Sequence, residues 1–295
     1  MELTTTFSET RDLSVGRVAL VPTMGFFHEG HLSLMRLVRD RCDTLIVSNF
    51  VNPTQFDREN DLEEYPRDLD RDRAMAVEVD VDIFFEPELG EVYPEGASTI
   101  VDVPGVSHWM EGRHRPGHFA GVATVVAKLF AGIQPDDAVF GRKDAQQLAV
   151  IEAMVRDLRF PVEIVAAPLV RESDGLALSS RNVHLSPADR ESSLAISRGL
   201  FQAAEQIDAG EVRGERLEAT VARSSRRLTT EYITLASLET MVPIATLDQP
   251  AVLAVVAQVG SVRLIDNIVV DFEGGRPVPD RGLILDEPSR LGTLP

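Results

Sequence analysis

The chain has 295 residues, 44% hydrophobic and 26% charged, which suits two globular domains better than one. Its formal net charge of −18 excludes a general binder of nucleic acid or anionic lipid, because such a surface repels phosphate. No apolar run is long enough to span a bilayer, the polar first twelve residues lack the regions of a secretory signal, and one cysteine, Cys42, permits no intramolecular disulfide and fits a reducing cytoplasm. In chain order, residues 17–21 predict a short strand ending at Pro22. A glycine-containing turn follows, then a helix with Leu34, Leu37 and Val38 at three- and four-residue steps. Residues 44–51 predict a second buried strand, stopped by Asn52-Pro53. Tyr65-Pro66 opens a charged helix over about residues 68–79, and residues 82–85 predict a strand. The clearest helix carries Val122, Val125, Val126, Leu129, Phe130 and Ile133 on one face, with Lys128 off it. Residues 137–141 predict a strand, Lys143 starts a helix with Leu148, Ile151, Val155 and Leu158 inside, and residues 162–167 close the series. This alternation predicts an α/β domain with a parallel sheet covered on both faces.

After Pro168 the rhythm changes. Long helices over residues 187–210 and about 215–230 precede strand-like runs at 232–238, 251–259 and 261–270, which predicts a smaller α+β domain. The remainder, 271–295, is rich in Gly and Pro and is expected to be poorly structured or draped over the surface.

Ligands of parallel α/β folds sit beyond the carboxyl ends of the strands. His28-Glu29-Gly30-His31 opens a helix there, where free N–H groups and the dipole favour phosphate. Its histidines, three apart, share one face and can donate to phosphate oxygens, while Gly25 and Gly30 let backbone approach. The competing reading is a pair of loop histidines or half a metal site. Asn52 and Gln55 are uncharged amides at the next strand end, suited to hydroxyl and carboxylate groups, or simply parts of an Asn-Pro turn. Arg113, His114, Arg115 and His118 form either an anion site or an exposed basic loop. At the 137–141 strand end, Lys143 can neutralise phosphate, Asp144 can accept from ribose hydroxyls, and Gln147 points one turn along toward the same mouth. Of 29 basic residues only Lys128 and Lys143 are lysines, which marks a compact point charge, although Lys128 reads as a snorkelling helix residue. Ser179, Ser180 and Arg181 form a possible phosphate clamp or an ordinary Ser-rich loop. Asp68, Asp70 and Asp72 are carboxylates of the kind that hold Mg²⁺ beside phosphates, or a solvated helix face.

Taken in order, Pro22-Thr23-Met24-Gly25, His28-Glu29-Gly30-His31, Phe50-Val51-Asn52-Pro53-Thr54-Gln55-Phe56, Tyr65-Pro66-Arg67, Arg115-Pro116-Gly117-His118-Phe119, Lys143-Asp144 with Gln146-Gln147, and Asp174-Gly175 with Ser179-Ser180-Arg181-Asn182 resemble the motifs of the pantothenate synthetase (pantoate–β-alanine ligase) family. Arg263-Leu264-Ile265-Asp266-Asn267-Ile268 resembles that family's C-terminal domain. The resemblance implies a Rossmann-type domain of the HIGH nucleotidyltransferase kind (1–169), a smaller α+β lid domain (170–272), a Gly/Pro-containing tail (273–295) and a cytoplasmic homodimer. It implies ATP-dependent joining of pantoate to β-alanine through a pantoyl adenylate, with Mg²⁺. Carried over by motif, Met24, Gly25, His28, Gly30 and His31 would line ATP, with His28 and His31 on its phosphates and His31 the acid. Gly141, Lys143, Asp144, Val170, Leu178, Ser179, Ser180 and Arg181 would complete the nucleotide site, Lys143 on phosphate and Asp144 on ribose. Gln55 would touch pantoate and β-alanine and Gln147 pantoate, with Asn52, Arg115 and His118 nearby. Several residues depart from the family pattern. Phe26-Phe27 replaces Ala-Leu and adds bulk beside the histidines, Arg142 replaces Glu, Ala145 replaces a bulkier residue, and Leu178 replaces Met. Arg71 stands where an acidic residue is usual, which leaves Asp72 as the magnesium candidate. A relative using another acid or amine, or a catalytically weak nucleotide-binding paralogue, are the competing functions.

Overall fold

A computed structural model describes residues 1–56, 62, 63 and 65–293. The chain forms two compact units. The first comprises Met1–Phe27, His31–Gly141 and Val150–Ala167. Its sheet has six parallel strands: β1 (Glu2–Thr4), β2 (Val18–Thr23), β3 (Thr44–Asn49), β4 (Ile83–Phe85), β5 (Asp137–Gly141) and β6 (Glu163–Ala167), in the order β1-β4-β3-β2-β5-β6. The longer helices between them are α1 (Phe7–Leu13), α2 (Glu29–Arg39), α3 (Leu69–Val77), α4 (His118–Ile133) and α5 (Ala145–Leu158). Strands covered on both sides are mainly apolar, and β2, β3, β4 and β5 have apolar, buried centres, with polar residues such as Thr44, Asn49 and Asp137 at strand ends. Pro22 does not end β2 as expected. A proline costs only one N–H and its φ suits an extended chain, so Thr23 still pairs with Asn49.

The strand order reverses at β2. From there the chain builds outward through β3 and β4, then returns to add β5 and β6 on the other side. Sheets of this kind take ligands at the carboxyl ends of the strands that flank such a reversal, here β2 and β5. Phe27, Leu32, Met35, Val47 and Phe84 belong to one apolar core. The polar N-terminus is structured as well: β1 pairs with β4, and Thr6 caps α1 by accepting the Glu9 N–H at 3.2 Å.

The second unit comprises His28–Gly30, Arg142–Ala149 and Pro168–Pro295. It contains β7 (Val170–Arg171), α6 (Pro187–Asp208), α7 (Gly214–Ser224), β8 (Thr229–Ser237), β9 (Ala251–Val259), β10 (Val262–Glu273), β11 (Arg276–Asp280) and β12 (Leu283–Ile284). Strands β8 to β11 form an antiparallel sheet in the order β11-β10-β9-β8. Ile196, Leu200, Leu217, Leu253 and Ile268 lie in the core that joins this sheet to α6 and α7.

The expectation of a poorly structured tail is corrected here. Residues 276–280 pair with β10 from Val269↔Asp280 to Glu273↔Arg276, and β12 adds in parallel to β7. The Gly274-Gly275 pair, with φ of 56° and 80°, is a two-residue hairpin turn. Pro277 and Pro279 are tolerated because β11 is the sheet edge, where a missing N–H faces no partner strand. Composition suggested disorder, whereas the local turn chemistry specified a strand. Residues 294 and 295 lie outside the described residues.

Candidate nucleotide and substrate site

In the first unit, the turn that follows β2 is built around one carboxylate. Asp72 of α3 is buried; its Oδ1 accepts the Phe27 N–H at 2.6 Å and its Oδ2 the Phe26 N–H at 2.7 Å. Asn49, at the end of β3, donates Nδ2 to Oδ2 at 3.2 Å. Burial pushes the Asp72 carboxyl up from its ordinary range, and the three donors only partly oppose that. Gly25 is required beside it: φ is +84°, and a Cβ would stand 2.6 Å from Asn49 Oδ1. Phe26 also holds a left-handed φ of 55°, uncommon for a bulky residue, and its N–H bond to Asp72 fixes it there.

This arrangement gives Asp72, the magnesium candidate, a structural duty. Both oxygens accept backbone donors inside the protein, so the residue is a strut for the turn. Asp68 caps α3 by accepting the Arg71 N–H, and Asp70 is exposed. Among the described residues no group of three His, Cys, Asp or Glu side chains could hold a metal ion. Arg71, the departure beside Asp72, donates Nη1 to the Phe27 carbonyl at 2.8 Å and lies 5.4 Å from the Phe26 ring centre. The bulk of Phe27 goes into the core against Phe84, with its ring 5.4 Å from His31.

Gln55 ends a 3-10 turn, Pro53–Gln55, after β3. Its Nε2 donates to Met24 Sδ at 2.8 Å, and its Oε1 accepts from Asn52 Nδ2 at 3.2 Å. The structure thus brings Met24 and Gln55 together. It gives Asn52 a supporting role: the side chain is buried, and Oδ1 accepts from Thr54 and from Tyr93 OH at 2.9 Å. Arg115 and His118 also act on Gln55. The Gln55 carbonyl receives Arg115 Nη2 at 3.2 Å and lies 2.7 Å from His118 Nδ1. They are a clamp on the Gln55 backbone rather than an open anion site. Lys128 lies 5.2 Å from the Tyr93 ring centre, a packed stem with a cation–π contact.

In the second unit, His28 is buried and its Nδ1 accepts the Gly30 N–H at 3.1 Å. An accepting Nδ1 puts the proton of the neutral ring on Nε2, which makes that nitrogen a donor suited to a phosphate oxygen. Lys143 sits in a 3-10 turn, Arg142–Asp144, that precedes α5, with Nζ 3.5 Å from Asp144 Oδ1. This turn is tied down by groups that sequence reasoning left without a role. Asn267 of β10 donates Nδ2 to the carbonyls of Lys143 at 2.8 Å and Arg142 at 3.1 Å. Asn267 is set by Asp266, which accepts its N–H at 2.7 Å and forms a buried, two-pronged pair with Arg171 at 2.8 and 3.0 Å. The Arg142 charge does not stand beside phosphate unpaired: it bonds Asp271 at 2.8 Å and reaches Asp280 at 3.4 Å. Leu178 donates its N–H to the Val170 carbonyl at 3.0 Å. Ser179 then caps the 3-10 turn Ser180–His184 by accepting the Arg181 N–H at 3.3 Å. Ala145 and Leu178 are buried, Gln147 is half-buried and Asp144 is exposed.

Comparison with known proteins matches residues 1–269 to the family described as Pantoate-beta-alanine ligase. A pantothenate synthetase of Syntrophus aciditrophicus is 50% identical over 270 residues, covering 90% of this chain and 94% of that protein. One from Heliobacterium modesticaldum is 47% identical, covering 86% and 92%. A crystal structure of pantothenate synthetase from Thermus thermophilus superposes with a TM-score of 0.87 at 43% identity, covering 90% of this chain and 98% of that one. A pantoate-beta-alanine ligase from Francisella tularensis, complexed with beta-gamma ATP and beta-alanine, gives a TM-score of 0.76 at 31% identity, covering 91% and 97%.

Proposed function

The chain belongs to the pantoate–β-alanine ligase family, and from that premise we propose how its residues divide the reaction. The enzyme condenses (R)-pantoate with β-alanine in two steps. Pantoate carboxylate attacks the α-phosphorus of ATP and pyrophosphate leaves. The β-alanine amine then attacks the acyl carbon of the pantoyl adenylate and AMP leaves. A ligase for another acid or amine, or a weak paralogue, is not favoured by a match of this length.

Both steps move charge that fixed donors can stabilise without rearranging. In our reading, His28 donates from Nε2 and His31 acts as the acid while charge grows on the leaving pyrophosphate. Lys143 supplies a point charge to the same phosphates, and Ser179, Ser180 and Arg181 bind them. Asp144 accepts from the ribose. Met24, Gly25, Gly30, Gly141, Val170 and Leu178 line the nucleotide, mainly through backbone. Gln55 holds pantoate and β-alanine and Gln147 holds pantoate, so that alignment of attacking and leaving groups contributes to the rate. Magnesium would enter with the ATP phosphates, with Asp72 the carboxylate proposed beside it. The family resemblance also supports a homodimer, checked by sedimentation, and the single cysteine fits a cytoplasmic setting.

The observation that carries the residue assignments is the His28 ring, oriented by Gly30 so that a donor stands at the head of a helix. His31→Ala is expected to lower pantoate-dependent exchange of pyrophosphate into ATP by roughly 10²-fold or more, the size typical for a lost transition-state donor. Wild-type exchange in that variant would remove His31 from the mechanism.

A further inference from the structure

The family match ends at residue 269, yet the chain continues as an ordered segment that returns to residues of the nucleotide site. After β11 the backbone turns sharply at Gly282, where φ is +80° and a Cβ would stand 2.4 Å from the Leu169 carbonyl oxygen. Only glycine permits that approach. From this turn β12 runs parallel to β7, with Leu283 N–H donating to the Leu169 carbonyl at 2.7 Å and Leu285 N–H to the Arg171 carbonyl at 2.9 Å. β7 is therefore bonded on both sides, because the Val170 carbonyl also receives Leu178 N–H and Arg171 bridges to Ala177. Further along, Ser289 is buried; its N–H and Oγ donate to Glu172 at 3.3 and 3.0 Å. Arg290 then reaches the His28-Glu29-Gly30 turn. Its N–H donates to Glu29 Oε1 at 3.1 Å, and its Nε lies 3.6 Å from the same oxygen.

We propose that Ser289 and Arg290, carried by the strap of residues 283–291, are positioning residues for the ATP phosphate site of this enzyme. The proposal rests on the reading of His28, His31 and the Leu178–Arg181 segment as that site. A carboxylate beside a phosphate site repels the ligand unless a cation and a donor engage it, and Arg290 supplies both to Glu29. Ser289 acts one step away. By holding Glu172 it fixes the hairpin that leads into Leu178, Ser179 and Ser180. The strap's hydrogen bonds to side chains go to Glu172 and Glu29, the supports of two phosphate-binding segments. Its loss is therefore expected to appear in ATP binding.

The test uses full-length variants. Arg290→Pro removes the N–H donor and the guanidinium, Ser289→Ala removes the hydroxyl, and Ser289→Thr keeps it. The double variant Ser289→Ala/Arg290→Pro is expected to raise KM for ATP roughly tenfold, the scale of a lost charge-assisted hydrogen bond, with KM for β-alanine within about twofold. Ser289→Thr is expected to hold KM for ATP near wild type, which a nonspecific packing defect would not do. Should the double variant fold poorly, Ser289→Ala alone against Ser289→Thr decides. Unchanged KM for ATP in these variants, while His31→Ala still lowers exchange as expected, would overturn the strap's role alone. Unchanged exchange in His31→Ala would instead overturn the site reading beneath it.

Discussion

The turns after β2 and after β5 follow neighbouring strands of one sheet, but they are held in opposite ways. The first, through Phe26 and Phe27, is held by N–H groups donating to a buried carboxylate, Asp72. The second, through Arg142 and Lys143, is held by its carbonyls accepting from an amide, Asn267, and by the Arg142 ion pairs with Asp271 and Asp280. A buried carboxylate with strong donors is nearly irreplaceable, since its removal orphans every donor at once. An amide bonded to carbonyls leaves acceptors behind, which tolerate loss better than buried N–H groups do. The first turn is therefore expected to depend more strongly on its anchor than the second.

Substitutions at the two anchors should separate them. Asp72→Ala is expected to cost about 3 kcal/mol or more in urea unfolding, because the Phe26 and Phe27 N–H groups lose their acceptors. Asp72→Asn should fall between, since an amide can accept one of the two. A loss under about 1 kcal/mol would show that water replaces the carboxylate. Asn267→Ala is expected to cost only about 1–2 kcal/mol, with a larger proportional rise in KM for ATP as Lys143 loses its fixed backbone. Equal stability losses at both sites would collapse the distinction.

The smallest effect is expected at a surface carboxylate with a strong partner. Arg213 hydrogen bonds hold Glu211 down from its ordinary value to about 2. The folded value is the lower one, so this contribution to stability is present above the ordinary Glu range and is lost as pH falls toward 2. Glu211→Gln should leave Tm at neutral pH almost unchanged and flatten the acid limb of its pH dependence slightly. A large drop in Tm would show that the pair does more than an ion pair with an exposed arginine allows.

The sequence carried the fold where the periodicity was strong. Residues 137–141 and 251–259 form strands with the predicted bounds, and the parallel sheet follows from strand–helix alternation. The site motifs were equally visible, because glycines, histidines and amides cluster at strand ends. What stayed hidden was long-range. Arg171 meets Asp266 across 95 positions, and Arg290 meets Glu29 across 261. No local pattern announces such pairs. The structural duty of Asp72 is hidden for the same reason: an acidic helix shows carboxylates, and only the turn folded against it reveals which one accepts backbone donors. The strand at 276–280 is hidden because overall Gly and Pro content outweighs one hairpin dipeptide, Gly274-Gly275.

The central claim is that this chain forms a pantoyl adenylate before the amine takes part. Single-turnover mixing of enzyme with ATP, magnesium and pantoate, without β-alanine, tests it most directly. The account predicts a burst of pyrophosphate equal to the enzyme present, followed by steady turnover to AMP and pantothenate once β-alanine is added. Pyrophosphate released only after β-alanine is added, or a burst with another acid and none with pantoate, would contradict it.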